Sequence, residues 1–142
     1  LQAGFGLHQI EKLPKFNENR LRLANLFFNF LDSQPFLSRP TLDKKASPAW
    51  FALPIIVSEN SPFSRNNIVQ YLEEDGVETR PIIAGNIAKH PVSKVFPFLG
   101  ENIYSGADII HKQGFYVGLS PFHSEDDICK LIDSIKIFLN RY

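Results

Sequence analysis

The sequence contains no methionine and a single cysteine, Cys129, among its 142 residues. One thiol excludes an intrachain disulfide, and its place among the apolar positions of a C-terminal helical pattern reads as a small core residue. A reducing, cytoplasmic setting is the expectation that follows. An excess of either charge is also lacking: fifteen basic residues balance fifteen acidic ones, and neither sign forms a block. That removes the electrostatic footprint of a nucleic-acid or anionic-membrane binder. Long apolar runs are missing too, since "WFALPIIV" and "IIHKQGFYVGL" are far shorter than a spanning helix and are broken by proline or charge. No basic segment followed by an apolar one opens the chain, so no secretory leader is read there. The absent methionine and an opening in mid-pattern, "LQAGFGLHQIEKL", suggest a piece of something longer.

What is present fits one domain with a well-buried core. From Leu1 to about Leu31 apolar residues recur near 3.6, at Leu13, Phe16, Leu23, Phe27 and Phe30, so a helix is expected. Pro14 should kink or split it, because its ring removes a hydrogen bond and crowds the preceding turn. "LFFNFL" is apolar nearly all round, which suggests a helix packed between its own domain and another. "DSQPFLSRPTLDKKASP", with three prolines, reads as a loop or edge connection. Ala49 to Val57 reads as a strand, with Pro54 arguing for an edge or a bulge.

Ser64 is placed as the N-cap of a second helix that ends with Gly76 at C′. "VETRP" reads as a short strand, "IAKHPVSKVF" as a helical stretch interrupted by Pro91, "GADIIHKQG" as one or two turns, and "FYVGL" as a strand. Ser124 and Asp127 form a capping box before a last helix whose apolar face is Ile128, Leu131, Ile132, Ile135 and Phe138. The mixture predicts an α+β, two-layer α/β domain with a small, mostly antiparallel sheet and packing helices.

For chemistry, the four histidines, His8, His90, His111 and His123, stand at no metal-site spacing from one another or from cysteine. They read as surface or partly buried structural residues. No Walker loop, dinucleotide fingerprint or nucleophile elbow occurs. Ser124 and the amides after it could hold an anion, though capping suffices to explain it. Lys12, Lys15, Lys44, Lys45, Lys89 and Lys94 sit in polar company rather than the desolvated setting that a Schiff-base lysine needs, and nothing marks a lysine as catalytic. The long irregular run "GVETRPIIAGNIAKHP", Gly76 to Pro91, is the one segment that invites a functional reading. Arg80, Asn86 and His90 could present a charged fork, an amide and an imidazole to a sugar or a phosphate. The alternative is local: Arg80 pairs with a nearby carboxylate and Asn86 caps a short helix.

Several segments, in order over nearly the whole chain, resemble the C-terminal part of the PLP-dependent DegT/StrS-type sugar aminotransferases and dehydratases. "LQAGFGLHQIEKLPKF" resembles the family's "TDLQAAIGLAQL", "SPAWFALPIIV" its "SWFGFPI" strand, and "FSRNNIVQYLEEDGVETRP" its "R-x-x-L-v-x-x-L-e-x-x-g-I-x-T-R" helix and strand. "PIIAGNIAKHP" is similar to the "AGN-x-x-x-x-P" form of the ketodeoxysugar 3-dehydratase branch, where typical aminotransferases have "PLHLQPAY". "GADIIHKQGFYVGLSP" resembles the segment leading into the last helix.

The resemblance implies the small domain of a fold type I PLP enzyme acting on a nucleotide-linked 4-keto-6-deoxy sugar, dimeric when complete. It implies an interdomain helix region over 1–34, kinked near Pro14, a small domain over 35–142, and an upstream PLP-binding large domain outside this sequence. No catalytic or coenzyme-binding residue is then expected here. The coenzyme lysine, or the histidine that replaces it as base in the dehydratases, belongs upstream, and the segment alone should not catalyse. Arg80, Asn86, Glu78 and His90 are the residues implied on the substrate side. His90 departs from the Gln or Asn usual at its position. The reading from another class is a non-catalytic interaction domain with Leu23, Phe27, Phe28 and Phe30 as its partner surface.

Overall fold

The structure, a computed structural model, describes residues 2–96 and 104–142. Helix α1 spans Gln2–Leu31 and carries Pro14 inside it, so the expected split does not occur. Ile10, whose carbonyl would have bonded the missing N–H, is exposed like Pro14, so water can serve that carbonyl. Leu1, where the helical pattern was read to begin, lies outside the described residues. Strands β1 (Leu37–Ser38) and β2 (Ala52–Val57) follow, then helix α2 (Arg65–Glu74) and strand β3 (Thr79–Pro81). A 3-10 turn at Ile87–Lys89 and a one-turn helix α3 (Val92–Val95) lead to α4 (Ser105–Gln113), β4 (Gly114–Gly118) and α5 (Glu125–Leu139).

Local chemistry sets several of these ends. Ser64 accepts from the Asn67 N–H while the Asn67 side chain accepts from Ser64 N–H, and Ser124 with Asp127 does the same at α5. Helix α2 stops in a Schellman motif: Gly76 N–H donates to Glu73 and Val77 N–H to Leu72, with Gly76 at φ +84.

The sheet is four-stranded and antiparallel throughout, in the order β1-β2-β4-β3. Pro54 sits in regular register opposite Tyr116 in an inner strand, contrary to the expected edge or bulge. The reason is the shortness of β1, which pairs only with Ile56 and Val57 and leaves the far side of Pro54 without a neighbour. Alternation sends Leu53, Ile55 and Val57, with Phe115, Val117 and Leu119, to one face. There they meet Leu23, Phe27, Phe28 and Leu31 of α1, Ile68 and Leu72 of α2, and the buried stripe of α5. Each such side chain contributes about 1.5–3 kcal/mol relative to exposure.

Two readings change here. Leu23, Phe27 and Phe28 are buried in the chain's own core and Phe30 packs against it, so they are not a partner surface. The exposed large apolar side chains of α1 lie mostly toward its start, at Phe5, Leu7, Ile10 and Leu13, with Leu21 further along. Cys129 is exposed rather than a core residue. It stands about 100° round the helix from Ile128, outside the arc of Ile128, Leu131, Ile132 and Ile135. Among the described residues no helix is long and apolar enough to cross a membrane.

Candidate functional site

The other face of the sheet is only partly covered. Pro54, Tyr116 and Arg80 are cross-strand partners in one row on it, because each faces away from the core in its own strand. Phe51 meets the Tyr116 ring edge-on at 5.9 Å and is 62% exposed. Phe51, Tyr116 and Arg80, with Glu78, His123 and Lys130, line a cleft of about 850 Å³. That lies within the roughly 300–1,000 Å³ of small-molecule sites. Arg80 donates from Nε to Glu78 Oε1 at 2.9 Å, and its Nη2 makes a second contact with the same oxygen. Both side chains are exposed, so the pair contributes little to stability and its polar atoms stay accessible.

After Pro81 the chain makes a tight turn in which Gly85 N–H donates to the Ile82 carbonyl at 2.9 Å. Ile83, inside this turn, has φ +45 and is 82% exposed. A β-branched residue in the left-handed region costs on the order of 1–2 kcal/mol, and such strain is concentrated at ligand clamps and switches. Gly85, at φ +58, lies against α4: a Cβ there would be 2.5 Å from His111 Nδ1 and 3.0 Å from His111 Cα. The "AG" of the loop is thus a close approach of backbone to His111.

Asn86 is 4% exposed. Its Oδ1 accepts from Ala88 N–H at 3.0 Å and its Nδ2 donates to Asp108 Oδ1 at 2.6 Å. Lys89 Nζ lies 2.7 Å from the same oxygen. The Lys89 bond first, and the Asn86 bond second, hold the Asp108 carboxyl below its ordinary value. Asn86 is therefore a fixture of the loop, its amide committed to protein partners. His90 Nε2 lies 2.7 Å from the Ala84 carbonyl oxygen. Since a carbonyl only accepts, Nε2 carries the proton and Nδ1 is left available.

A second cleft, of about 270 Å³, is lined by the loop together with Arg65, His90, Ile110 and His111. The His90 and His111 ring centroids are 6.0 Å apart, and Arg65 Nη1 donates to the His111 carbonyl at 2.9 Å. The structure thus brings Glu78 to Arg80 and His90 to His111, but divides the four expected substrate-side residues between two clefts and the loop interior. Both local alternatives read from the sequence are present, in the Arg80–Glu78 pair and in the Asn86 cap. Sequence reasoning missed Phe51, Arg65, Asp108, His111 and Tyr116 as neighbours of the site. No spacing rule links them to the loop.

Among the described residues the side chains do not form a PLP cradle. Every lysine among the described residues is exposed, so none lies in the buried, apolar setting of a Schiff-base lysine. Likewise no group of three or more metal-ligating side chains occurs among the described residues.

Residues 1–136 match the DegT/DnrJ/EryC1/StrS aminotransferase family. The chain is 31% identical over 137 residues to a GDP-4-keto-6-deoxy-D-mannose 3-dehydratase of Yersinia pseudotuberculosis, covering 96% of this chain and 34% of the relative. It is 29% identical to a dTDP-4-dehydro-2,6-dideoxy-D-glucose 3-dehydratase of Saccharopolyspora spinosa, covering 98% and 30%. Among solved structures, the Escherichia coli GDP-4-keto-6-deoxy-D-mannose-3-dehydratase with bound hydrated PLP superposes with a TM-score of 0.80 at 29% identity, over 91% of this chain and 33% of that one. An aminotransferase from Psychrobacter cryohalolentis shares the fold, with a TM-score of 0.80 at 23% identity over 98% and 38%. The chain spans about a third of the length of the relatives it matches.

Proposed function

The chain belongs to the DegT/DnrJ/EryC1/StrS aminotransferase family, and from that premise we infer that it is the substrate-side, C-terminal part of a PLP-dependent sugar 3-dehydratase. The substrate is a nucleotide-linked 4-keto-6-deoxy sugar and the setting is cytoplasmic deoxysugar or surface-polysaccharide synthesis. The observation that carries this reading is the loop after β3, whose "AGN" core is held by the fit of Gly85 on His111 and by the Asn86–Asp108 bond. The curated relatives named as 3-dehydratases, with 29–31% identity over nearly all of this chain, support deoxygenation over amino transfer.

In this reading residues 1–34 join the small domain, 35–142, to a large domain that holds PLP and supplies the base. The exposed apolar residues Phe5, Leu7, Ile10 and Leu13 suit such a junction. PLP, when bound there, stabilises the negative charge that develops on the substrate during deoxygenation. The residues of this chain bind and orient. Arg80 and Glu78 offer a charged fork and a carboxylate to sugar hydroxyls, and His90 offers its Nδ1. Asn86 keeps the loop in shape. The complete enzyme works as a homodimer whose two subunits build each site.

The test uses the complete gene product. It should show the absorbance of bound PLP and remove the C3 hydroxyl of a GDP-linked 4-keto-6-deoxy sugar when glutamate is supplied. Arg80→Gln should raise KM for the sugar nucleotide about tenfold or more, the weight of a charge-assisted hydrogen bond, with less effect on kcat. A complete protein without PLP would sink the proposal.

A further inference from the structure

We propose that the smaller cleft is an anion subsite, holding a phosphate or diphosphate group between Arg65, His90 and His111. The three side chains come from three elements, α2, the loop and α4, and converge on one cavity. Among the described residues no carboxylate lines it. The first turn of α2 has no acidic residue, residues 81–90 contain none, and Asp108, the one acid of α4, is engaged with Asn86 and Lys89. Arg65 bonds a backbone carbonyl and the Asn66 side chain, so among the described residues its charge has no carboxylate to offset it. Three of its five donors are used among the described residues, which leaves two for a ligand. Among the described residues His90 Nδ1 has no hydrogen-bond partner, which leaves a ring nitrogen for the ligand.

Size and strain agree with this use. At about 270 Å³ the cleft falls just short of a whole-ligand pocket and suits one group of a larger ligand. The left-handed Ile83 lines the same cleft, where backbone strain is a common companion of ligand clamping. Pro81 lines this cleft and Arg80, its neighbour in β3, lines the larger one. A sugar nucleotide laid along the end of β3 would place its sugar in the larger cleft and its diphosphate in the smaller. That last assignment rests on the function proposed above, whereas the anion site does not.

The probes are inorganic pyrophosphate and GDP, titrated calorimetrically against the complete protein and its His111→Gln variant. Pyrophosphate affinity should fall about tenfold in the variant, and GDP affinity by a similar factor if the substrate's diphosphate is the occupant. Loss for pyrophosphate alone would uphold the site and overturn its link to the sugar nucleotide. A lowered thermal midpoint with both affinities unchanged would mean that the histidine pair is only structural, which overturns the proposal. A readout needing no variant is carbethoxylation mapped by peptide mass. Pyrophosphate should slow modification of His90 and His111 but not of His8, whose side chain is 80% exposed. Equal rates with and without pyrophosphate would also overturn it. A protein that lacks PLP leaves these pyrophosphate measurements as decisive as before.

Discussion

Replacing glycine by alanine at two turn positions separates the cost of backbone conformation from the cost of contact. Gly76 and Gly85 both have positive φ, at +84 and +58. A Cβ on Gly76 would meet nothing within 4 Å, whereas one on Gly85 would lie 2.5 Å from His111 Nδ1 and 3.0 Å from His111 Cα. The left-handed conformation costs an alanine roughly 1–2 kcal/mol. A stiffer unfolded chain returns roughly 0.4–1 kcal/mol. Gly76→Ala should therefore destabilise by about 0.5–1 kcal/mol. At Gly85 the contact with the His111 backbone cannot be relieved by a rotamer change, and overpacking of this kind adds roughly 1–3 kcal/mol. Gly85→Ala should then lose about 2–4 kcal/mol, a fall in Tm of about 6–14 °C for a domain of this size. Gly106→Ala, in α4 with open space around it, should instead gain about 0.5–1 kcal/mol. Chemical and thermal unfolding of the three variants would check the series. A Gly85→Ala variant no less stable than Gly76→Ala would refute the close approach of the loop to α4.

Three further outcomes are expected. The Asp108 carboxyl is held below its ordinary value of 3.8 by Lys89 and Asn86, so its contribution is present above that pH and drains as pH falls through the lower folded value. Asp108→Asn should flatten that acid limb in a stability–pH titration, and an unchanged slope would contradict the assignment. Ser124→Ala removes the side-chain half of the α5 capping box and should cost about 1 kcal/mol in denaturant unfolding. Ile135→Ala, at a fully buried site, should cost about 2–5 kcal/mol, while Cys129→Ser on the exposed side should stay within about 0.5 kcal/mol; comparable losses would contradict the placement of the α5 stripe.

Much of the local structure was legible because its causes are local. Ser64, Gly76, Ser124 and Asp127 act within one turn of their own position, and alternation in β2 and the 3.6 repeat of α5 need no distant partner. The antiparallel α+β class followed from the order of these elements. Where reading by pattern failed, a distant residue had decided the matter. Pro54 is tolerated in an inner strand because β1 is short. The all-apolar end of α1 is consumed by the chain's own core.

The residue types of the loop were likewise determined by sequence alone: a glycine pair, a capping amide, a charged fork and an imidazole, without an acid between Pro81 and His90. Tertiary structure alone decided what each of them meets. Asn86 reaches Asp108 across 22 positions, Arg65 reaches the His111 carbonyl across 46, and His111 comes to face His90. Such contacts carry no periodic or spacing signal, because they form only when burial of the sheet's inner face has brought β3, α2 and α4 side by side. The core packing that orders the elements is thus what turns an irregular loop into a site with two clefts.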